Sequence, residues 1–198
     1  MVVLRQNAER IYVDQGREYT FPAAGETKTN YFTVESTGEW SVTSTAAWCT
    51  VEPKGGEAGT KQVTIKAEAH SKKEAREAKL TFALKANAYI RQVVTVMQKA
   101  NAISVAPSED CVFSAAGETK SSYLTVESTG EWSVTSSAAW CTVGPKGGEA
   151  GTKQVTVKVE ANSQKEAREA ELTFALKANA NIKQVVTVKQ AGRGSNQN

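Results

Sequence analysis

Apolar and polar residues alternate along most of this chain with a period of two, the pattern of strands that bury one face. In 28–36, Phe32 and Val34 point one way while Tyr31, Thr33 and Glu35 point the other. Trp40 and Val42 share a face in 39–45, and Val63, Ile65, Ala67 and Ala69 share one in 60–69. Leu80, Phe82 and Leu84 form the next inward row, and Ile90, Val94 and Val96 the last. Shorter apolar stretches at Ile11–Val13 and Ile103–Val105 predict an N-terminal strand for each half. Ala24-Gly25 and Thr37-Gly38 supply tight turns, and 53–59 (PKGGEAG) reads as a longer loop. Strands of this length separated by glycine turns predict an all-β sandwich. One segment departs from the pattern. Residues 71–79 (SKKEAREAK) are helix formers with no apolar face to pack. They read as a loop or short turn entering the Leu80 strand, with Arg76 and Arg168 pinning it through a salt bridge or through carbonyls.

The pattern occurs twice. Residues 21–98 reappear as 113–190, offset by 92 with no gap, and 64 of the 78 positions are identical. A period that long exceeds the repeat of a solenoid, roughly 20–50 residues, and matches a whole small domain. The chain of 198 residues therefore reads as two tandem β-sandwich domains, 7–99 and 100–191, followed by a disordered tail at 192–198. The two copies test the strand assignment internally. Differences at inward positions stay apolar: Phe32 becomes Leu124, Ile65 becomes Val157 and Ala67 becomes Val159. Outward or loop positions change character: Lys79 becomes Glu171, Tyr89 becomes Asn181 and Met97 becomes Lys189. That is what a packed face and a solvated face each tolerate. The junction 98–103 (QKANAI) holds no Gly, Pro or Ser, so a link of about four residues is expected to favour an end-to-end pair.

Net charge is +3, with acids and bases interleaved. Nucleic-acid faces need clustered Lys and Arg, so none is expected. No apolar run is long enough to span a membrane as a helix. Met1-Val2-Val3-Leu4-Arg5 lacks the apolar stretch of a signal peptide, which fits either a cytoplasmic protein or one read after a removed signal. Cys49 and Cys141 are repeat equivalents, and Cys111 stands where the first copy has Tyr19. The first copy has a single cysteine and forms no internal disulfide. Cys49 and Cys141 read as small apolar fillers near the core, with a Cys111–Cys141 bridge as the minority alternative.

An ordered set of short motifs carries a resemblance. Each unit has Glu-Trp-Ser-Val (39–42, 131–134), Ala-Trp-Cys-Thr-Val (47–51, 139–143), a Pro-x-Gly-Gly loop, and Val-Thr-x-Lys-x-Glu-Ala (63–69, 155–161). Arg76 and Arg168 precede a Leu-Thr-Phe strand, and Val-Thr-Val-x-Gln closes each unit (94–98, 186–190). The family's Asn before the Arg is matched by Asn162 but replaced by His70 in the first copy. This order resembles the BACON domain, the Bacteroidetes-associated carbohydrate-binding often N-terminal module. The resemblance implies an immunoglobulin-like fold and an extracellular or cell-surface location on proteins of gut bacteria. It also implies a neighbouring glycoside hydrolase, protease or adhesin, and carbohydrate or mucin binding inferred from that company.

Chemistry is sparse. His70 is replaced by Asn162 in the second copy, so no histidine serves both units, and no His/Cys/Asp cluster has metal-ligand spacing. The 55–61 stretch GGEAGTK places Lys after Thr, the reverse of a phosphate loop. Carboxylate pairs such as Glu26 with Glu35, or Glu57 with Glu68, would need a cleft holding them about 5–10 Å apart to act as a glycosidase. The expectation is a protein without catalysis, cofactor or metal. It would serve as a structural spacer or adhesion and presentation pair, with weak glycan binding as the alternative. Sugar platforms need exposed aromatic faces. Trp40 and Trp132 share a face with Val42 and Val134 and read as core. The low-specificity candidates for carbohydrate binding are Tyr31, Trp48, Tyr123 and Trp140, with Tyr89 near a loop. Expected partners are glycans or a neighbouring catalytic or adhesive domain. The outward row Val93, Thr95, Met97 would suit a covered edge or a partner.

Overall fold

The computed structural model describes residues 8–14 and 19–194. The signal-peptide reading at 1–5 and the tail reading at 195–198 lie outside the described residues. Arg193 does lie within them, and its N–H donates to Gln164 O at 2.7 Å. The chain divides into two units, 1–70 with 74–100, and 101–198 with 71–73.

Among the described residues every regular element is a strand. The first unit holds β1 (Ile11–Val13), β2 (Thr20–Phe21), β3 (Glu26–Ser36), β4 (Trp40–Ser44), β5 (Cys49–Glu52), β6 (Gly55–Gly56), β7 (Gly59–Ala67), β8 (Arg76–Leu84) and β9 (Arg91–Gln98). They form two sheets, ordered β1-β3-β7-β5 and β2-β9-β8-β4-β6. All pairings are antiparallel except β2 with β9, which is parallel. The N-terminal segment thus starts in one sheet and crosses to the other, and the strands enclose a core between them, as in an immunoglobulin-like sandwich. The second unit repeats this with β10 (Ile103–Ala106), β11 (Cys111–Phe113), β12 (Glu118–Ser128), β13 (Trp132–Ser136), β14 (Cys141–Gly144), β15 (Gly147–Gly148), β16 (Gly151–Val159), β17 (Arg168–Leu176) and β18 (Asn179–Gln190). Its sheets are ordered β10-β12-β16-β14 and β11-β18-β17-β13-β15.

The inward rows read from the alternation form the core: Phe32, Val34, Trp40, Val42, Val63, Ile65, Leu80, Phe82, Leu84, Val94 and Val96 are buried, as are their counterparts. Ala69, beyond the end of β7, is exposed, and Ile90, just before β9, is half-buried. The 71–79 segment runs as coil until β8 begins at Arg76.

The Pro-x-Gly-Gly stretch does more than connect. Gly55 and Gly56 are a two-residue strand paired to Ser41 and Trp40, with Gly56 against the Trp40 indole and Gly55 against the Trp40 main chain. A Cβ on Gly56 would stand 3.2 Å from Trp40 Nε1, and one on Gly147 would stand 2.5 Å from Trp132 O. Backbone can come this close only where there is no side chain. Both indole N–H groups are buried without an acceptor among the described residues, a cost of about 1–3 kcal/mol that the burial of a whole indole offsets. Gly147→Ala should therefore lower the stability of the second domain by about 1–3 kcal/mol, the usual penalty of overpacking. Gly144→Ala, where a Cβ meets nothing within 4 Å and the first copy already carries Glu52, should change it by less than about 0.5 kcal/mol. Urea unfolding of both variants decides this, and equal midpoints would refute the close-approach role.

Candidate functional site

The candidate aromatics sit in two clusters that recur in both copies, with Cys111 and Leu124 in the second where the first has Tyr19 and Phe32. The first surrounds Tyr31. Strand β3 carries an irregularity: Lys28 pairs with Ile65 and Phe32 with Val63, so three residues of β3 stand opposite one of β7. Asn30 takes up the slack with φ 49°, and Ser122 does so in the second copy with φ 51°. Such bulges re-aim the side chains that follow. The period-two reading turned Tyr31 outward, but the bulge tilts it over the sandwich, half-buried against the core. Its ring meets Phe21 edge-on at 6.2 Å and Tyr19 at 6.0 Å. Tyr123 likewise meets Phe113 at 6.4 Å. A lysine closes over each pair. Lys28 Nζ lies 4.8 Å from the Tyr31 ring centre and donates to Thr20 O at 3.2 Å. Lys120 Nζ lies 4.9 Å from Tyr123 and donates to Val112 O at 2.7 Å. Burial and the adjacent Cys111 push the Tyr123 phenol above its ordinary value.

The second cluster surrounds Trp48. The half-buried indole packs on the core edge, and the Arg76 guanidinium lies over it at 4.3 Å, as Arg168 does over Trp140 at 4.2 Å. The planar guanidinium suits both stacking and forked hydrogen bonding. Arg76 Nε donates to Gln98 Oε1 at 2.7 Å and Nη2 to Glu68 O at 2.8 Å, so the pinning of this segment is through a carbonyl and an amide. Gln98, fully buried, donates through Nε2 to Pro22 O and Glu68 O, both at 2.9 Å. One side chain thereby ties the ends of β2, β7, β8 and β9. Gln190 repeats this with Ser114 O, Glu160 O and Arg168.

Sequence reasoning missed the two glutamines, although the signal was present. Gln92 and Gln98 share the parity of the inward Val94 and Val96. The His70 position is likewise structural: His70 Nε2 lies 3.2 Å from Lys99 O, and the buried Asn162 donates to the equivalent Ala191 O at 3.1 Å. Tyr89 is 94% exposed on a turn, with Asn181 in its place in the second copy. Among the carboxylates, Glu26 and Glu35 lie nine residues apart along β3, roughly 30 Å at strand rise. Glu57 and Glu68 are both exposed. Among the described residues no group of three His, Cys, Asp or Glu could hold a metal ion, and no helix is long and apolar enough to cross a membrane.

A family model described as the viral BACON domain matches residues 15–101 and again 102–193. The chain belongs to the viral BACON domain family. The matching family is the viral form, where the motifs had suggested modules of gut bacteria. No curated protein matches the chain. Among solved structures, a BACON unit here is similar to part of a Bacteroides ovatus GH5 xyloglucanase in complex with a XXXG heptasaccharide. The identity is 26% and the TM-score 0.41, over 46% of this chain and 19% of that one. The Yersinia pseudotuberculosis adhesin InvE is similar at 12% identity and TM-score 0.40, over 92% of this chain and 58% of that one. The zebrafish RET cadherin-like domains are similar at 11% and 0.43, over 95% and 52%. At TM-scores below 0.5 none of these similarities bears on substrate or partner.

Two predictions follow from the BACON clusters. Arg168→Lys removes the stack on Trp140 and the fork to Gln190 and Glu160, and should cost about 1–3 kcal/mol of second-domain stability. A denaturation midpoint like that of the unmodified protein would show that the arginine is dispensable. The second concerns the cysteines, all three of which are buried free thiols. Burial pushes Cys49 up to about 11, partly opposed by Arg76. A thiol whose pKa is raised on folding adds stability that is fully present below its unfolded value, about 8.5. That contribution is lost as pH rises toward the folded value. The first domain should lose about 1.4 kcal/mol per pH unit from this thiol between about 8.5 and 11. Urea midpoints from pH 7.5 upward should show a slope that Cys49→Ala flattens.

Proposed function

We propose that this pair of BACON domains is a non-catalytic module of a surface or secreted protein, acting as a structural spacer that presents a neighbouring catalytic or adhesive domain. One observation carries this reading. The aromatic faces best suited to a sugar are already covered by cations of the same chain: Trp48 and Trp140 by arginines, Tyr31 and Tyr123 by lysines. Each of these cations is also held by a main-chain carbonyl. A pyranose would have to displace a cation–π contact worth about 0.5–2 kcal/mol and leave hydrogen bonds unmade. The aromatics are thus used within the fold, and their retention in both copies is accounted for by packing. Adhesion through another surface of the same module is compatible with this role.

A glycan array probed with the two-domain protein tests the proposal. The expected result is no binding to mucin, plant or microbial glycans above background. Binding to a defined glycan class that disappears in a folded Tyr31→Ala/Tyr123→Ala variant would replace the spacer reading with a lectin-like one.

A further inference from the structure

The two edges of each sandwich are finished differently. On one edge a side chain bridges the sheets. Gln92 of β9 accepts from Val13 N at 2.7 Å and donates to Val13 O at 3.1 Å, so its amide pairs with β1 as another strand would. Gln184 does the same for Val105. The opposite edge is formed by β5 of one sheet and β4 of the other, and β6 covers β4 only at Trp40 and Ser41.

The ladder phase shows which main-chain groups are left over. Lys85 N donates to Glu39 O and Thr45 N to Lys79 O. In an antiparallel pair bonding residues alternate, so Ser41 and Thr43 bond to β8 while Val42 and Ser44 turn away from it. Val42 N donates to Lys54 O at 2.9 Å. The Val42 carbonyl and both main-chain groups of Ser44 have no ladder partner. On β5, Glu68 N donates to Trp48 O. By the same alternation Thr50 and Glu52 bond to β7, and the N–H and C=O of Val51 turn to the other side. Between these two unfinished edges lies a crevice of about 470 Å³, with Val42, Cys49 and Val51 below, Ser44 and Ala47 along its walls and Lys54 beside it. The second copy has the same crevice, about 530 Å³, beside Lys146. Of the lining positions only Thr45 differs, as Ser137.

We propose that each crevice takes one extended peptide segment of a partner protein, inserted as an additional strand between β4 and β5. The match is to main chain. An extended segment turns the N–H and C=O groups of successive residues to opposite sides, so it can bond to the Val42–Ser44 edge and to Val51 together. About four or five residues cover the span from Val42 to Ala46 at roughly 3.3 Å each. The buried Val42, Cys49 and Val51 and the neighbouring Ala46 and Ala47 give the crevice an apolar side, with Thr43, Thr45 and Thr50 the polar one, which selects small apolar side chains at alternate positions. Lys54, which makes no ion pair among the described residues, selects an acidic residue beside them. No aromatic side chain lines the crevice, so it offers a sugar no stacking surface. This inference is independent of the spacer role: it gives the module a protein partner.

The test is to pan the full chain against phage-displayed random dodecapeptides and follow the best peptide by amide NMR. The expected result is enrichment of peptides with alternating small apolar residues and an acid, shifting the amides of Ser44, Val51, Ser136 and Val143. N-methylating any one of the central peptide amides should weaken binding about tenfold, the effect of one lost main-chain hydrogen bond. Lys54→Glu/Lys146→Glu, at exposed positions, should weaken the acidic peptide and favour its lysine-bearing counterpart. No enrichment over a protein-free surface, shifts confined to other amides, or N-methylated peptides that bind equally well would each overturn the proposal. So would mucin oligosaccharides that move these same amides.

Discussion

The contact between Trp40 and the Gly55-Gly56 pair is the constraint on which the rest of each unit depends. The indole is the largest side chain in the core and is fully buried. It can be so only because the covering strand has no side chains of its own. That strand ends where the indole ends. Beyond it, β4 continues without a neighbour, and the open edge follows directly. From Gly56 the chain passes to β7 in the other sheet. A fold built around one oversized core residue thus acquires a two-residue strand and a crevice from the same cause.

The far end of the unit is organised by hydrogen bonds. Gln98 reaches the main chain at Pro22 and Glu68 and the side chain of Arg76, closing the region where β2, β7, β8 and β9 meet. A buried amide with three partners is specific in a way that apolar packing is not. Arg76 then spreads over Trp48. The exposed salt bridges of Lys85 with Glu39 and Lys177 with Glu131 lie at the opposite end of β8 and β17 and belong to a class that contributes about 0–1 kcal/mol each.

Local alternation made the core legible. Val63, Ile65 and Ala67, or Leu80, Phe82 and Leu84, announce their burial in any window of five residues, and the second copy confirms each by substituting only apolar residues. What escaped depends on pairing across the chain. The bulge at Asn30 exists because β3 must keep register with β7 on both sides of an excess of two residues, and no feature within β3 alone states that excess. Tyr31, outward by parity, is half-buried against the core beside that bulge. Gln92 and Gln98 escaped for the opposite reason. Their parity was inward all along, but a polar side chain within an apolar row, as Gln92, or at its end, as Gln98, reads as a break in the row unless its partners are known. The glycine pair read as a loop because a two-residue strand has no periodicity to detect. In each case the missing information was the identity of a neighbour, which the amino-acid pattern implies only once the sheets are assembled.

The differences between the copies bear on what is retained. Fourteen positions differ over the repeated 78, and they include a core aromatic, two further core residues and the charge at position 79. Yet the glutamine that seals one edge, the residues of the opposite crevice and the lysine beside it persist almost unchanged. An exposed edge strand is ordinarily a hazard, because it invites pairing with any other edge, and proteins blunt such edges with charge. Lys54 and Lys146 supply a like charge at equivalent edges of both copies, which disfavours pairing of one such edge with another while leaving it open to a segment of opposite charge. Two copies of such a contact on one chain would reinforce each other wherever both find partners, since the second event becomes intramolecular. Duplication then multiplies a weak main-chain contact without altering the fold that makes it.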